Sequence, residues 1–140
     1  MYTSKDEKKA NVELTRRRDR FYMLIDMHSK LKRLDRTMSR WIWENIGANI
    51  SIDAVFALFK WEMMEFHPIT KRDMVFLIND RGDGWHKIKA LESVGIISYK
   101  PSRMDQRVKY CELTAKGKEI MNSLRDAILE IYEGAFDYEA

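Results

Sequence analysis

The sequence predicts a mainly α-helical fold with one small β hairpin. Residues 12–46 contain neither Gly nor Pro and carry apolar side chains at helical spacing. Residues 91–117 end one helix, form a basic hairpin and begin another helix. The chain has 140 residues, of which 45% are hydrophobic and 34% are charged, and it has no internal repeat, which is typical of a single globular domain. This order of helices and hairpin is the layout of a winged helix-turn-helix.

The hairpin is predicted from the residues that bound its two strands. Gly95 follows an apolar helical run and can adopt the left-handed conformation that ends a helix. Residues 96–100 favour a strand, and Pro101 closes it because proline has no N–H to donate to a ladder. Residues 107–113 form the return strand, with a polar tip between the two strands. Thr114 is predicted to cap the helix that follows.

The segment before the hairpin has the pattern of a helix-turn-helix. Residues 54–64 predict an apolar, buried helix that ends at the following proline. Thr70 with Asp73 three residues later predicts the start of a short third helix. Residues 79–84 form a turn-rich cluster. Residues 85–94 are then the recognition helix, whose N-terminal side chains would face base edges in a major groove.

Two apolar stripes lie near opposite ends of the chain. A short chain must bury both, and a symmetric second copy is the commonest solution. The alternative is that both stripes pack within the monomer. The first stripe lies in the helix over residues 12–46 and the second in the helix over residues 115–133; their members are Phe21, Leu24, Leu31, Leu34, Met38, Trp41 and Ile42, and Ile120, Leu124, Ile128 and Ile131.

The net charge of +3 is unevenly distributed. Residues 1–40 carry +6 (12 basic against 6 acidic residues) and residues 71–110 carry +4 (9 against 5). Residues 41–70 carry −3 (1 against 4) and residues 111–140 carry −4 (3 against 7). Positive charge on the predicted helix-turn-helix and hairpin is the electrostatic pattern expected of a protein that binds nucleic acid. For the N-terminal segment alone, a solvated helix face is an equally good interpretation.

Several functional classes are disfavoured by the sequence. No apolar run approaches the ~20 residues of a membrane-spanning helix, and residues 1–18 lack the apolar core of a secretory signal, so we expect a cytoplasmic protein. His28, His67 and His86 are too scattered to form a metal or catalytic group with Cys111, and there is no Gly-rich phosphate loop, HExxH or CxxC motif. We therefore expect no enzyme activity, metal or cofactor. The single Cys111 is interpreted as a buried small apolar residue rather than a redox switch.

Three short motifs make the chain resemble the MarR family of bacterial and archaeal transcription regulators. In that family a Leu-Glu-x-x-Gly-Leu/Ile-Ile stretch leads into a wing with an Asp-x-Arg motif, which is followed by Leu-Thr-x-x-Gly. Here the motifs occupy residues 91–97, 105–107 and 113–117, in the same order and spacing. A looser similarity, in the pattern of apolar positions only, covers residues 21–132.

The resemblance implies a homodimer in which the terminal helices of two subunits interlock. It also implies that the wing arginine, by position Arg107, enters the minor groove while Asp105 orients it; Arg103 is an alternative. Members of the family often sense small aromatic or anionic ligands in a cleft between the dimer helices and the DNA-binding helices. Five aromatic side chains of this chain could line such a cleft: Trp41, Trp43, Trp61, Phe66 and His67. The alternative is that these side chains belong to the hydrophobic core.

The chain departs from the family pattern at the start of the recognition helix. Where relatives usually have a small polar residue, Thr and an aliphatic residue, this chain has Asp83, Gly84, Trp85 and His86. Asp83 is interpreted as an N-cap. Trp85 has two interpretations, a core plug that replaces the missing aliphatic side chain or an exposed aromatic facing DNA, and the core plug is favoured.

Together these patterns predict a homodimeric, sequence-specific regulator of transcription that binds double-stranded DNA, acting as a repressor. Alternatives are a winged-helix protein-interaction module and a non-specific architectural DNA-binding protein. The predicted organisation is an arm or helix extension over residues 1–20 and a single winged-helix domain over residues 21–140, with a DNA-binding lobe at about 52–113 and dimerisation helices at about 21–46 and 115–134. Predicted DNA contacts are Lys71, Arg72, Arg81, Trp85, His86, Lys87, Lys89, Arg103, Asp105, Gln106 and Arg107. Predicted dimer contacts are Phe21, Leu24, Leu31, Ile120, Leu124, Ile128 and Ile131.

Overall fold

Helices and a single antiparallel hairpin make up the computed structural model, which describes residues 4–78 and 82–135. In chain order the elements are α1 (Ser4–Ile46), α2 (Ile52–Met63), α3 (Lys71–Ile78), α4 (Gly84–Val94), β1 (Ile97–Pro101), β2 (Lys109–Leu113) and α5 (Ala115–Glu133). The predicted fold class, mainly helical with a small β wing, is confirmed. The chain divides into two compact units, Met1–Asp35 and Arg36–Ala140.

The first unit consists, over its described residues, of the N-terminal three quarters of α1. The helix begins at Ser4. Residues 1–20 were predicted to form either an arm or a helix extension, and they are helical from Ser4 onward. Almost every side chain in this unit is exposed, the apolar Phe21, Leu24 and Leu31 among them. This part of α1 therefore has no hydrophobic core of its own.

The core of the second unit is built from the last turns of α1 and from every later element. Its largest fully buried side chains are Met38, Ile42, Val55, Leu58, Trp61, Met74, Ile88, Leu91, Ile96, Ile97, Met121 and Leu124. Leu124 was predicted to contact a second subunit, and this prediction is wrong, because Leu124 has no exposed surface. The C-terminal stripe is thus used, through Met121, Leu124 and Ala127, to cover the core of its own chain.

The hairpin pairs Ile97 with Leu113, Tyr99 with Cys111, and Pro101 with Lys109. The return strand begins two residues later than predicted. The reason is that the tip is a local turn, in which the backbone N–H of Arg107 donates to the carboxylate of Asp105 and that of Val108 donates to the carbonyl of Asp105. The other edge of β2 is held by the segment before α3, since the N–H of Cys111 donates to the carbonyl of Ile69 at 2.7 Å.

The predicted caps at Thr70, Gly95 and Thr114 are confirmed, whereas α2 spans Ile52–Met63 rather than residues 54–64 and ends before the segment that precedes the proline. Thr70 and Asp73 exchange side-chain to backbone hydrogen bonds of 3.0 and 3.2 Å at the start of α3. Gly95 ends α4 with φ of 87°. The Thr114 hydroxyl accepts from the N–H of Gly117 at 2.8 Å and donates to the carbonyl of Gly95, so one side chain joins the end of α4 to the start of α5.

Cys111 lies on the inward face of β2 and is buried, as predicted. Burial raises the pKa of its thiol to about 11, with Lys71 acting in the opposite direction and Asp73 and Glu92 adding to the rise. The thiol of Cys111 is therefore protonated at neutral pH, whereas a free cysteine has a pKa near 8.5. A residue in this state packs as a small apolar side chain.

Two further findings apply to the described residues 4–78 and 82–135. None of their helices is long and apolar enough to cross a membrane. No group of three or more His, Cys, Asp or Glu side chains in this part of the chain could hold a metal ion.

Gly117 tests the contact between α5 and the hairpin. A Cβ atom at this position would overlap the carbonyl oxygen of Ile96 and lie 3.0 Å from its carbonyl carbon. We expect Gly117→Ala to lower the free energy of unfolding by about 1–3 kcal/mol, because the obstacle is backbone and cannot rotate away. Urea denaturation measures the change. The matched control is Gly134→Ala, where a Cβ meets nothing within 4 Å; equal stability losses in the two variants would contradict the packing interpretation.

Candidate nucleic-acid interface

The predicted reading segment consists of α3, α4 and the hairpin, which we call the reading head. Its two helices approach closely at Gly84, the first residue of α4. Gly84 is buried, and a Cβ atom there would lie 2.8 Å from Cγ1 of Val75 on α3. Glycine usually destabilises a helix, but at position 84 the lack of a side chain allows α4 to pack closely on α3. Asp83 occupies the N-cap position, as predicted, but its side chain makes no capping hydrogen bond.

The exposed face of α4 carries Trp85, His86 and Lys89, while Ile88 and Leu91 are buried. Trp85 is 50% exposed. The favoured interpretation of Trp85 as a core plug is therefore wrong. Gly84, and not its neighbour Trp85, is the residue of this turn that faces Val75 of α3, and the ring of Trp85 lies at the surface. His86 and Lys89 are three residues apart, which places them as neighbours on one side of the helix.

Lys71 lies between α4 and the hairpin. Its ammonium nitrogen is 5.2 Å from the ring centre of Tyr99, 6.0 Å from that of Trp85 and 4.0 Å from the carboxylate of Glu92. Cation–π contacts of this kind contribute roughly 0.5–1 kcal/mol at exposed sites. Burial, and after it the nearby Cys111 and Glu92, raise the pKa of Tyr99, so its phenol is neutral. Lys71, predicted to touch phosphate, therefore links the recognition helix to the wing.

Lys87 is also engaged within the protein. Its ammonium group lies 3.1 Å from a carboxylate oxygen of Asp53, in the first turn of α2, and its side chain is only 16% exposed. Lys87 and Lys89 were both predicted to contact DNA. In the structure, Lys87 is held against α2 while Lys89 remains exposed.

The tip of the hairpin presents Arg107. The guanidinium donates to both carboxylate oxygens of Asp105, at 3.2 and 3.4 Å, and the Arg107 side chain is 92% exposed. The hydrogen bonds from the Arg107 side chain, and then from its backbone, lower the pKa of Asp105. Asp105 is therefore ionised at neutral pH and fixes the direction of the guanidinium. This is the arrangement that the resemblance implied for an Asp-x-Arg wing.

The remaining predicted contacts divide by exposure. Arg72 on α3 and Arg103 and Gln106 on the tip are exposed, as are Lys100 and Lys109, which were not predicted. Arg81 lies outside the described residues. Sequence reasoning also missed Asp53, since nothing near residue 53 indicates a partner on a helix 34 residues later. Met104, an apolar residue in the tip between β1 and β2, is also exposed.

The predicted aromatic cleft does not form as one site. Trp41 lines a cleft of about 390 Å³ with Asn45, Val94, Lys116 and other residues of α1, α4 and α5. Trp61 is instead buried in the core, where its indole N–H donates to the carbonyl of His67 at 2.8 Å. Phe66 packs edge-on against Trp61 and lines a separate cleft of about 330 Å³ beside the wing. Trp43 is exposed.

No protein-family model and no curated protein matches the sequence. Solved structures do match. MepR, a transcription regulator of the Staphylococcus aureus multidrug efflux pump MepA, is 14% identical, with a TM-score of 0.64 over 86% of this chain and 83% of that one. A MepR point mutant bound to an oligodeoxyribonucleotide is 14% identical, with a TM-score of 0.60 over 86% and 83% of the two chains. A MarR-family regulator from Silicibacter pomeroyi is 14% identical, with a TM-score of 0.61 over 85% of this chain and 77% of that one. The chain therefore has the fold of MarR-family regulators, and the resemblance of its motifs is confirmed at the level of the fold.

Proposed function

We propose that the protein is a DNA-binding regulator of the MarR type, which acts as a homodimer in the cytoplasm and represses transcription by occluding a promoter. The observation that carries this proposal is Arg107, which is exposed at the tip of a basic wing and held by Asp105. The fold is shared with a MepR variant that was solved with an oligodeoxyribonucleotide. The activity is binding, without covalent chemistry.

Two parts of the reading head would contact DNA in different ways. His86 and Lys89, on the exposed face of α4, supply donors for the acceptor atoms that purines present in the major groove. Arg107 would enter the adjacent minor groove, whose negative potential is strongest where the groove is narrow. Arg72, Lys100, Arg103 and Lys109 are exposed cations that would pair with phosphates. AT-rich flanks are the expected preference.

A second copy of the chain would cover the apolar surface of α1. Phe21 and Leu24 are 59% and 60% exposed, and Leu31 is also exposed. Exposed apolar surface on this scale commonly marks an interaction site. Ile120, Ile128 and Ile131 on α5 are half-buried and would contribute their remaining surface. A two-fold dimer would direct two α4 helices to major grooves about one helical turn apart.

The cleft that contains Trp41 is the proposed effector site. An aromatic wall and the ammonium group of Lys116 suit a small aromatic or anionic molecule. The cleft is lined by α1, α4 and α5, so an occupant would contact both the recognition helix and a helix of the proposed dimer interface.

Selection from random duplex DNA by the purified protein, followed by sequencing, tests the proposal. We expect a pseudo-palindrome with two half-sites about one helical turn apart, because each subunit would read one half-site. We also expect affinity to fall steeply as salt rises, because counterions are released on binding. Salt-sensitive binding without an enriched sequence would favour an architectural DNA-binding protein. No binding to duplex DNA would overturn the proposal in favour of a protein-interaction module.

Replacement of Arg107 tests the wing assignment. We expect Arg107→Ala to weaken binding by about 1–3 kcal/mol and to reduce the slope of log affinity against log salt by about one. Titration of a labelled duplex at several salt concentrations measures both quantities. Lys118→Ala removes an exposed cation from the acidic C-terminal segment and is the matched control. If Arg103→Ala weakens binding and Arg107→Ala does not, Arg103 is the inserted arginine instead.

Removal of the Asp53 carboxylate tests whether its ion pair restrains Lys87. We expect Asp53→Asn to bind duplex DNA more tightly, because it removes one of the contacts that hold the Lys87 ammonium group away from DNA. Loss of a negative charge could by itself increase affinity, so the test is a double-mutant cycle with Lys87→Gln. The gain from Asp53→Asn should disappear when Lys87 is also replaced. An undiminished gain in the double variant would mean that the ion pair does not restrain Lys87.

A further inference from the structure

The apex of the wing presents an apolar side chain to solvent. Met104 is 97% exposed, more than any other large apolar residue in the described part of the chain. Isolated apolar residues at a protein surface are common and need no explanation by themselves. Met104 is different because of its position, at the point of the hairpin that the proposed function directs toward DNA.

The backbone beneath Met104 is fixed by hydrogen bonds within the tip. Its N–H donates to the hydroxyl of Ser102 at 3.2 Å. The N–H of Ser102 donates to the carbonyl of Val108 at 2.8 Å, and the N–H of Val108 donates to the carbonyl of Asp105 at 3.0 Å. The tip is thus closed on itself, and Met104 projects from an ordered base rather than from an open loop.

The charges around Met104 suit a polyanion. Arg103 precedes it, and Arg107 stands three residues later, oriented by Asp105. With Arg107 in the minor groove, Arg103 on the other side of Met104 can pair with a phosphate that borders the groove, while the apolar side chain faces the bases. Proteins that insert Met, Leu, Ile, Phe or Pro between base pairs in this way unstack one step and bend the duplex.

We propose that Met104 inserts as a wedge into the minor groove beside each half-site, where it partly unstacks one base step and bends the DNA. The proposal rests on the DNA-binding function proposed above. It adds a specificity that needs no hydrogen bond to a base, because pyrimidine–purine steps such as TA and CA unstack more easily than other steps. The sequence read by each wing would then be such a step within the groove that Arg107 occupies.

The test uses the full-length protein and the duplex recovered by selection, with 2-aminopurine substituted for adenine at successive flanking positions. Fluorescence of 2-aminopurine rises when the base is unstacked. We expect wild-type protein to raise the fluorescence at one step in each flank, and to bend the duplex by an angle between about 20° and 90°, measured by energy transfer between dyes at the two ends. Replacement of that step by AA should weaken wild-type binding.

Variants of the tip identify the side chain responsible. Met104→Ala and Met104→Gln should lose the fluorescence rise and most of the bend, because neither presents a long apolar side chain, whereas Met104→Leu should retain both. Met63→Ala is the matched control, since Met63 is also strongly exposed but lies at the end of α2. Met104 has almost no contact with the protein, so these variants should fold as the wild type does.

The outcomes separate the two proposals. Binding with no fluorescence rise at any flanking position, or with a rise and bend that persist in Met104→Ala, overturns the wedge and leaves the DNA-binding function intact. Loss of both signals in Met104→Ala and Met104→Gln, with recovery in Met104→Leu, supports it. Failure of the wild-type protein to bind any duplex overturns the proposed function and the wedge together.

Discussion

The reading head depends on a close backbone contact between the start of α5 and the start of the hairpin. Gly117 leaves no space for a side chain against the carbonyl of Ile96, and the hydroxyl of Thr114 joins that point to the end of α4 at Gly95. Three elements therefore meet through backbone atoms and one threonine. Because backbone atoms cannot change rotamer, this contact fixes the direction in which α4 and the wing leave the core.

Side chains then link the recognition helix to the elements on either side of it. Lys71 lies against the rings of Trp85 and Tyr99, so α4 and the wing share one cation. Lys87 is paired with Asp53 of α2. Both lysines contact other parts of the protein, although the Lys71 side chain is still 41% exposed. Lys89 on α4 and Arg103 and Arg107 on the wing are exposed cations of the reading head as well.

Acidic residues have two different roles in this arrangement. Asp105 accepts hydrogen bonds from Arg107 at the exposed tip and directs the guanidinium outward without covering it. Asp53 instead holds Lys87 in a position where only a small part of its side chain reaches solvent. The effect of each acidic residue in this basic region therefore depends on its position. One carboxylate leaves its paired cation exposed, and the other keeps its paired cation largely buried.

The sequence by itself determined the features that depend on neighbours within a few residues. The caps at Thr70 and Thr114 and the left-handed Gly95 were predicted from the residues themselves, because each is a contact between residues three positions apart or a backbone conformation that glycine favours. The Asp105–Arg107 pair was implied by the resemblance of its motif to that of the MarR family. Tertiary structure decided the rest. The exposure of Trp85, the burial of Leu124 and the capture of Lys87 by Asp53 depend on how elements distant in the chain pack together. A periodic pattern specifies which face of a helix is apolar, but only packing decides what covers that face.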